Sequence, residues 1–151
     1  MNIRHATNAD TERLMQMTQR FVESTPAYWD LALQLERIEA LIEAVLESGL
    51  ILVAEVEEPQ GTRQNVVAML AIAALTHPLT GERYGEELAW WVEPEDRRSG
   101  IGDRLLDAGE QWCRDNRLTC LKMVAPVGTG IDVYYGRRGY KALETAHVKQ
   151  F

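Results

Sequence analysis

Apolar residues recur with two different periods along the chain, and these periods predict both helices and strands. Leu35, Ile38, Ile42 and Val45 are spaced three or four residues apart, as on the buried face of an amphipathic helix. Residues 50–56 instead form a short, nearly continuous apolar run, which is typical of a buried strand. The pattern as a whole predicts a strand, two helices, three strands, a helix, a strand, a short helix and a final strand or strand pair, at residues 1–7, 8–22, 30–48, 50–56, 65–75, 86–92, 100–116, 118–124, 132–138 and 140–151.

This order of elements favours a mixed α/β fold with one largely continuous sheet. A chain of 151 residues has the usual size of one domain, and 46% hydrophobic with 26% charged residues is the profile of a packed protein. No internal repeat or low-complexity segment divides the chain. We therefore expect a single domain that spans residues 1–151.

The charge balance argues against a nucleic-acid partner. The chain has 16 Lys and Arg against 23 Asp and Glu, a formal net charge of −7, whereas broad nucleic-acid binding needs a basic surface. No apolar run reaches the roughly 18 residues that cross a membrane, and the first residues lack the apolar stretch of a signal peptide. These features predict a cytoplasmic protein without a membrane partner.

The cysteines and histidines do not have the spacing of a metal site or a disulfide framework. The two cysteines, Cys113 and Cys120, do not form a CxxC pair, and the three histidines are far apart in sequence. We therefore expect neither a metal site nor a structural disulfide.

Residues 92–102, V-E-P-E-D-R-R-S-G-I-G, lie between a predicted strand and the start of the clearest predicted helix. Two glycines one residue apart let the backbone approach a bulky ligand. The first N–H groups of a helix have no partner within it, and the helix dipole adds positive charge at that end. Arg97, Arg98 and Arg104 add further positive charge to an acidic chain. The segment predicts a phosphate site, with an ordinary helix cap as the alternative.

Taken in full, this segment resembles the signature of the GNAT superfamily of N-acetyltransferases, in which Gln or Arg is followed after two residues by Gly, any residue, and Gly or Ala. A second segment, Y-Y-G-R-R-G-Y at residues 134–140, resembles the family's Y-x-x-x-G-[FY] element. The resemblance implies a GNAT-like fold with about six or seven strands and four helices.

The resemblance also implies acetyl-CoA as the cofactor. Backbone amides from about Arg98 to Asp103 would bind the pyrophosphate of coenzyme A, and Val92 would lie beside the pantetheine arm. The implied cofactor-binding residues are Val92, Arg97, Arg98, Ser99, Gly100, Ile101, Gly102 and Asp103.

In the same way, the resemblance implies transfer of an acetyl group to an amine by direct attack, with Tyr135 as the general acid that protonates the departing thiolate. The alternatives are that Tyr135 only packs the helix, or that Tyr134 takes its place. The amine must lose a proton, which a base can accept. Strand alternation puts Glu86 on the same face as Val92, and Glu87 on the opposite face. We therefore expect Glu86 to act as the base, directly or through water, with a solvated strand-end carboxylate as the alternative.

The acceptor side is less specific. Tyr28 and Trp29 follow a helix break at Pro26, in a region that often borders the acceptor in the family this chain resembles. They are candidate acceptor-binding residues, or else a hydrophobic anchor for the second helix; Glu87 is a further candidate. The acceptor would be a primary amine of a small molecule or a protein, and a homodimer is consistent with the family. The competing hypothesis is a non-catalytic coenzyme A-binding sensor or partner-binding module.

Overall fold

The structure is a computed structural model that describes residues 1–25, 32–57 and 64–149. Within these residues, the strands are β1 (Asn2–His5), β2 (Leu50–Glu57), β3 (Gln64–Thr76), β4 (Arg83–Val92) and β5 (Leu121–Lys122). They form one sheet in the order β1-β2-β3-β4-β5. Neighbouring strands are antiparallel, except that β4 and β5 are parallel.

Helices cover both faces of this mixed sheet: α1 (Thr11–Ser24), α2 (Leu35–Ser48), α3 (Ile101–Asp115) and α4 (Ile131–Arg137). The apolar stripes of α1 and α2 bury residues such as Leu14 and Ile42 against one face, and α3 buries Leu105 against the other. Because side chains alternate along a strand, β2 and β3 contribute to both cores. None of the helices in the described part of the chain is long and apolar enough to cross a membrane.

A bulge at Leu88 decides where the carboxylates of β4 lie. Glu87 and Ala89 pair with successive residues of β3, so Leu88 is the extra residue. Leu88 and Ala89 consequently pack against the same core, beneath α1 and α2. The strand therefore changes its facing within the short stretch that leads to the loop before α3.

The β5 strand is shorter than the predicted strand at residues 118–124. Beyond Lys122 the chain leaves β4, and the Val124 N–H donates to the side chain of Glu87 instead of to a backbone carbonyl. We call the place where β5 diverges from β4, at Glu87 and Val124, the β4–β5 gap.

The predicted strand at residues 140–151 was wrong for the described part of that segment, since residues 140–149 form no strand. The sheet of the described residues consequently has five strands instead of six or seven. Apolar side chains of this segment, such as Leu143 and Val148, stay exposed, so the segment buries no face against the sheet.

Candidate active site

The loop before α3 has the backbone geometry of an anion-binding turn. A 3-10 turn, Pro94–Asp96, follows β4, and the chain then passes through two positive φ angles, 66° at Arg98 and 80° at Gly100. Gly100 caps α3, so the N–H groups of Gly102 and Asp103 have no carbonyl partner within the helix. A non-glycine residue at positive φ is uncommon, and such backbone strain concentrates at functional loops. The loop therefore presents unpaired N–H groups at the positive end of a helix.

The arginines of this loop differ in their surroundings. Arg97 turns back, with its Nε donating to the Val92 carbonyl at 3.1 Å and its guanidinium 4.8 Å from the Trp91 ring centroid. Arg98 and Arg104 are exposed, one in the loop and the other in the first turn of α3. The charges of Arg98 and Arg104 thus face solvent beside the unpaired N–H groups.

Three other predicted cofactor-binding residues fix the shape of the loop. The Ser99 hydroxyl donates to the Asp96 carbonyl at 2.5 Å and accepts the Ile101 N–H at 3.4 Å. The side chain of Ile101 is buried in the core beneath α3. The Asp103 carboxylate accepts the Tyr134 hydroxyl at 2.6 Å, which joins the start of α3 to α4.

Gly100 and Gly102 are favoured for different reasons, the first for its backbone conformation and the second for close packing. Gly100 has open space around it, so its positive φ is what favours glycine. A Cβ at Gly102 would lie 3.1 Å from Cζ2 of Trp90 and 3.7 Å from Cγ2 of Val92. Glycine at position 102 therefore lets the first turn of α3 lie directly over the end of β4.

Three polar groups meet at the β4–β5 gap. The Val124 N–H donates to Oε2 of Glu87 at 2.9 Å. The Tyr135 hydroxyl donates to the Val124 carbonyl at 3.5 Å, so it lies near the Glu87 carboxylate that accepts from the same residue. The buried Tyr135 ring stacks on Trp90, with centroids 6.1 Å apart. The gap thus brings a carboxylate and a phenol to the backbone of one residue, with the phenol ring stacked on Trp90.

Burial changes the acidity of both groups. It raises the pKa of Glu87 to about 7, although hydrogen bonds from Val124 and Tyr135 favour the charged form. Burial, together with the nearby charge of Glu87, raises the pKa of Tyr135 well above its usual range. Near neutral pH, Glu87 can therefore accept or release a proton, whereas Tyr135 stays protonated.

The facing predicted for the two carboxylates was wrong. Simple alternation would put Glu86 on the same face as Val92, but the extra residue at Leu88 reverses the relationship, so that Glu87 shares this face. Glu86 lies beside β5, where its carboxylate is 4.0 Å from Nζ of Lys122. The structure thus brings Glu87, and not Glu86, to Tyr135; the roles of both residues stay predictions.

Tyr28 and Trp29, the other candidate acceptor-binding residues, lie outside the described residues. Their assignment stays a prediction.

Two residues near Tyr135 were not assigned a role from the sequence. Trp90 had a signal, since its spacing from Val92 puts it on the same strand face. Arg138 lies within the Y-x-x-x-G-[FY] segment, but its contacts with α3 join residues about 30 positions apart, which no local pattern encodes.

Comparison with known proteins agrees with this arrangement. The model of the acetyltransferase (GNAT) family matches residues 11–140. No curated protein sequence matches the chain significantly.

Solved structures with a similar fold include three acetyltransferases. The aminoglycoside antibiotic 6′-N-acetyltransferase of Acinetobacter haemolyticus is 19% identical, with a TM-score of 0.73 over 100% of this chain and 98% of that one. The ribosomal-protein-alanine N-acetyltransferase of Brucella melitensis is also 19% identical, with a TM-score of 0.71 over 100% of both chains. AAC(6′)-Iy, in complex with the bisubstrate analog CoA-S-monomethyl-acetylneamine, is 12% identical, with a TM-score of 0.75 over 99% of this chain and 97% of that one.

At these identities, the structural likeness shows a shared fold. The family match shows family membership as well as the fold, because it spans both the loop before α3 and the segment that contains Tyr135. The matched residues cover most of the chain, and the protein belongs to the GNAT acetyltransferase family.

Proposed function

We propose that the protein is an acetyl-CoA-dependent N-acetyltransferase that acts on a primary amine of a small molecule or a protein. The observation that carries this proposal is that the Tyr135 phenol and the Glu87 carboxylate meet at the backbone of Val124, in the β4–β5 gap. Both kinds of acceptor occur among the similar structures, in an aminoglycoside acetyltransferase and a ribosomal-protein-alanine acetyltransferase.

The loop before α3 suits the pyrophosphate of coenzyme A. The positive φ angles at Arg98 and Gly100 leave the N–H groups of Gly102 and Asp103 at the positive end of a helix. The exposed charges of Arg98 and Arg104 would add to this attraction. When bound, acetyl-CoA supplies the thioester whose acetyl group is transferred.

Tyr135 is our candidate general acid. Its raised pKa keeps the hydroxyl protonated at neutral pH, so a proton is available for the departing thiolate as the C–S bond breaks. The stacking of its ring on Trp90 and the bond to the Val124 carbonyl limit the directions in which that proton can point.

Glu87, in place of Glu86, is our candidate general base. An amine with a pKa near 10.4 is neutral in only about one molecule in 2,500 at pH 7, a cost of roughly 4.6 kcal/mol. A carboxylate with a pKa of about 7 can take that proton, directly or through water, as the amine nitrogen bonds to the acetyl carbon. Since Glu87 and Tyr135 both bond to Val124, the proton that Glu87 receives can return to the phenolate, directly or through water, after transfer.

Calorimetric titration with acetyl-CoA, followed by thiol-release assays over a panel of amines, tests the proposal. Ser99→Glu should abolish cofactor binding because it places a negative charge in the exposed loop. Ser48→Glu, at the exposed end of α2, is the matched control and should bind normally. Tyr135→Phe should bind acetyl-CoA normally and lose about 10²-fold or more in kcat.

The remaining outcomes discriminate between functions. Binding to the native chain without turnover of any amine would favour the non-catalytic coenzyme A-binding module. A folded native chain that does not bind acetyl-CoA would overturn both readings. Unchanged turnover in Tyr135→Phe would remove Tyr135 from the reaction.

A further inference from the structure

The helix that carries Tyr135 has little to hold it in place by itself. α4 has seven residues, and helices this short are marginal without tertiary support. It lies between backbone turns of positive φ, at Gly128 and Gly130 before it and at Gly139 after it. The position of the Tyr135 hydroxyl therefore depends on contacts that α4 makes with the rest of the molecule.

Most of the polar contacts from α4 and the residues just after it go to one stripe of α3. Arg138, at the end of α4, contacts the carboxylates of Asp107, Asp103 at 3.5 Å and Glu110 at 3.2 Å. These three residues lie on successive turns of α3, on the face away from its core. We call Arg138 and these three carboxylates the α3–α4 latch.

Two tyrosines reinforce the latch. The Tyr134 hydroxyl donates to Asp103 at 2.6 Å, and the Tyr140 hydroxyl donates to Glu110 at 3.1 Å. The Tyr140 ring centroid lies 5.4 Å from that of Tyr135, so a residue bonded to the latch packs against the candidate acid.

We propose that Arg138 is a positioning residue for Tyr135. It holds α4 on α3 by neutralising three carboxylates that would otherwise repel one another, and so keeps the Tyr135 hydroxyl at the β4–β5 gap. Charged hydrogen bonds from one guanidinium to several carboxylates fix direction as well as distance. This inference rests on the proposed function, because it assigns the consequence of that position to acetyl transfer.

The chain offers a matched pair of arginines for the test. Arg138→Met removes the guanidinium and keeps the apolar stem, and Arg137→Met makes the same change at the exposed neighbouring residue. Arg138→Met should lower kcat by about tenfold to a hundredfold, since a displacement of about 1 Å can cost that much. The Kd for acetyl-CoA should change by less than about threefold in both variants, and kcat should be unchanged in Arg137→Met. Equal kcat values for the two variants would overturn the proposal.

A second measurement separates positioning from a general structural role. If Arg138 acts through Tyr135, then Arg138→Met should cost nothing further in a Tyr135→Phe background, because residues that act as a unit are non-additive. A full additional loss of kcat in the double variant would show that Arg138 acts elsewhere, and would reject the inference.

The inference can fail separately from the proposed function. Hydrogen exchange of the α4 amides should be faster in Arg138→Met than in Arg137→Met, whether or not the native protein turns over an amine. Equal exchange would show that the latch does not hold α4, even in an active enzyme. If Arg138→Met does not fold, Asp107→Asn is the second variant, because it removes one partner of the arginine. Asp107→Asn should also give faster exchange of the α4 amides and a lower kcat. Unchanged exchange and kcat in Asp107→Asn would count equally against the latch.

Discussion

The chemistry of single residues gives the most direct test of the active site. With Glu87 as the base, kcat/KM should rise with pH up to about 7, where this carboxyl loses its proton, and then level off. Glu87→Gln has no such group, so its reaction requires amine that is already neutral. Its kcat/KM should be about 10²-fold or more lower at pH 7 and should keep rising toward the pKa of the amine.

Thiol release measured from pH 5.5 to pH 9.5 checks this profile, with Glu86→Gln as the matched control at the adjacent residue. Glu86 lies beside Lys122, and its variant should keep the wild-type plateau. A plateau that survives in Glu87→Gln but vanishes in Glu86→Gln would return the base to the residue that strand alternation favoured.

At the scale of elements, glycine marks where α3 is tightly packed. A Cβ at Gly109 would lie 2.7 Å from Cδ2 of Leu70 and 3.0 Å from Cδ1 of Ile72, both of them fully buried. Gly109→Ala should therefore lower the free energy of unfolding by about 1–3 kcal/mol, although alanine favours the helix by up to about 1 kcal/mol.

Gly136 in α4 supplies the opposite case. A Cβ there would have nothing within 4 Å, so Gly136→Ala should raise the free energy of unfolding by about 0.5–1 kcal/mol. Chemical denaturation of the two variants measures both signs. Stabilisation by Gly109→Ala would mean that α3 can move away from β3 without loss.

The sequence predicts an element well when the residues that determine it lie within the element itself. The helix predicted at residues 100–116 is α3, because its apolar spacing and glycine cap lie within the segment itself. The extra residue at Leu88 has no such signature, since a bulge arises from how β4 pairs with β3. Because of the extra residue at Leu88, Glu87 and not Glu86 lies at the β4–β5 gap. The contacts of Arg138 likewise depend on how two distant helices meet.

For the molecule as a whole, a buried carboxylate joins the loop before α3 to the helix layer on the other face of the sheet. Glu93, only 4% exposed, follows Val92 and precedes the 3-10 turn of the loop. Its two oxygens accept hydrogen bonds from Arg13 at 2.7 Å and Arg20 at 2.8 Å, both on α1. Burial opposes ionisation, but the hydrogen bond from Arg20 and the charges of both arginines hold the pKa of Glu93 below its usual value. The loop before α3 is thus anchored to a helix on the opposite face.

Glu93 and Glu87 should give stability a maximum at mildly acidic pH. The pKa of Glu87 rises from 4.5 in the unfolded chain to about 7, so its stabilising contribution is complete below pH 4.5 and is lost as the pH rises through 7. The lowered pKa of Glu93 acts in the opposite sense. Its contribution is present above the unfolded value of 4.5 and is lost as the pH falls through the folded pKa. The free energy of unfolding should therefore be highest near the unfolded pKa of 4.5 that the two groups share.

Urea denaturation at pH 3.5, 5 and 8 tests both the loss of stability toward acid (the acid limb) and the decline above pH 5. Glu87→Gln should remove the decline between pH 5 and pH 8 and leave the acid limb intact. Glu93→Gln should be less stable at pH 5 by about 1–3 kcal/mol, because two partly exposed arginines lose their charged partner, and its loss of stability toward acid should be smaller. Glu95→Gln, in the exposed part of the same turn, should change neither limb. If the full decline above pH 5 persists in Glu87→Gln, then Glu87 is ionised throughout that range in the folded protein. A carboxylate that holds no proton there cannot exchange one with an amine near neutral pH. That result would therefore count against Glu87 as the general base.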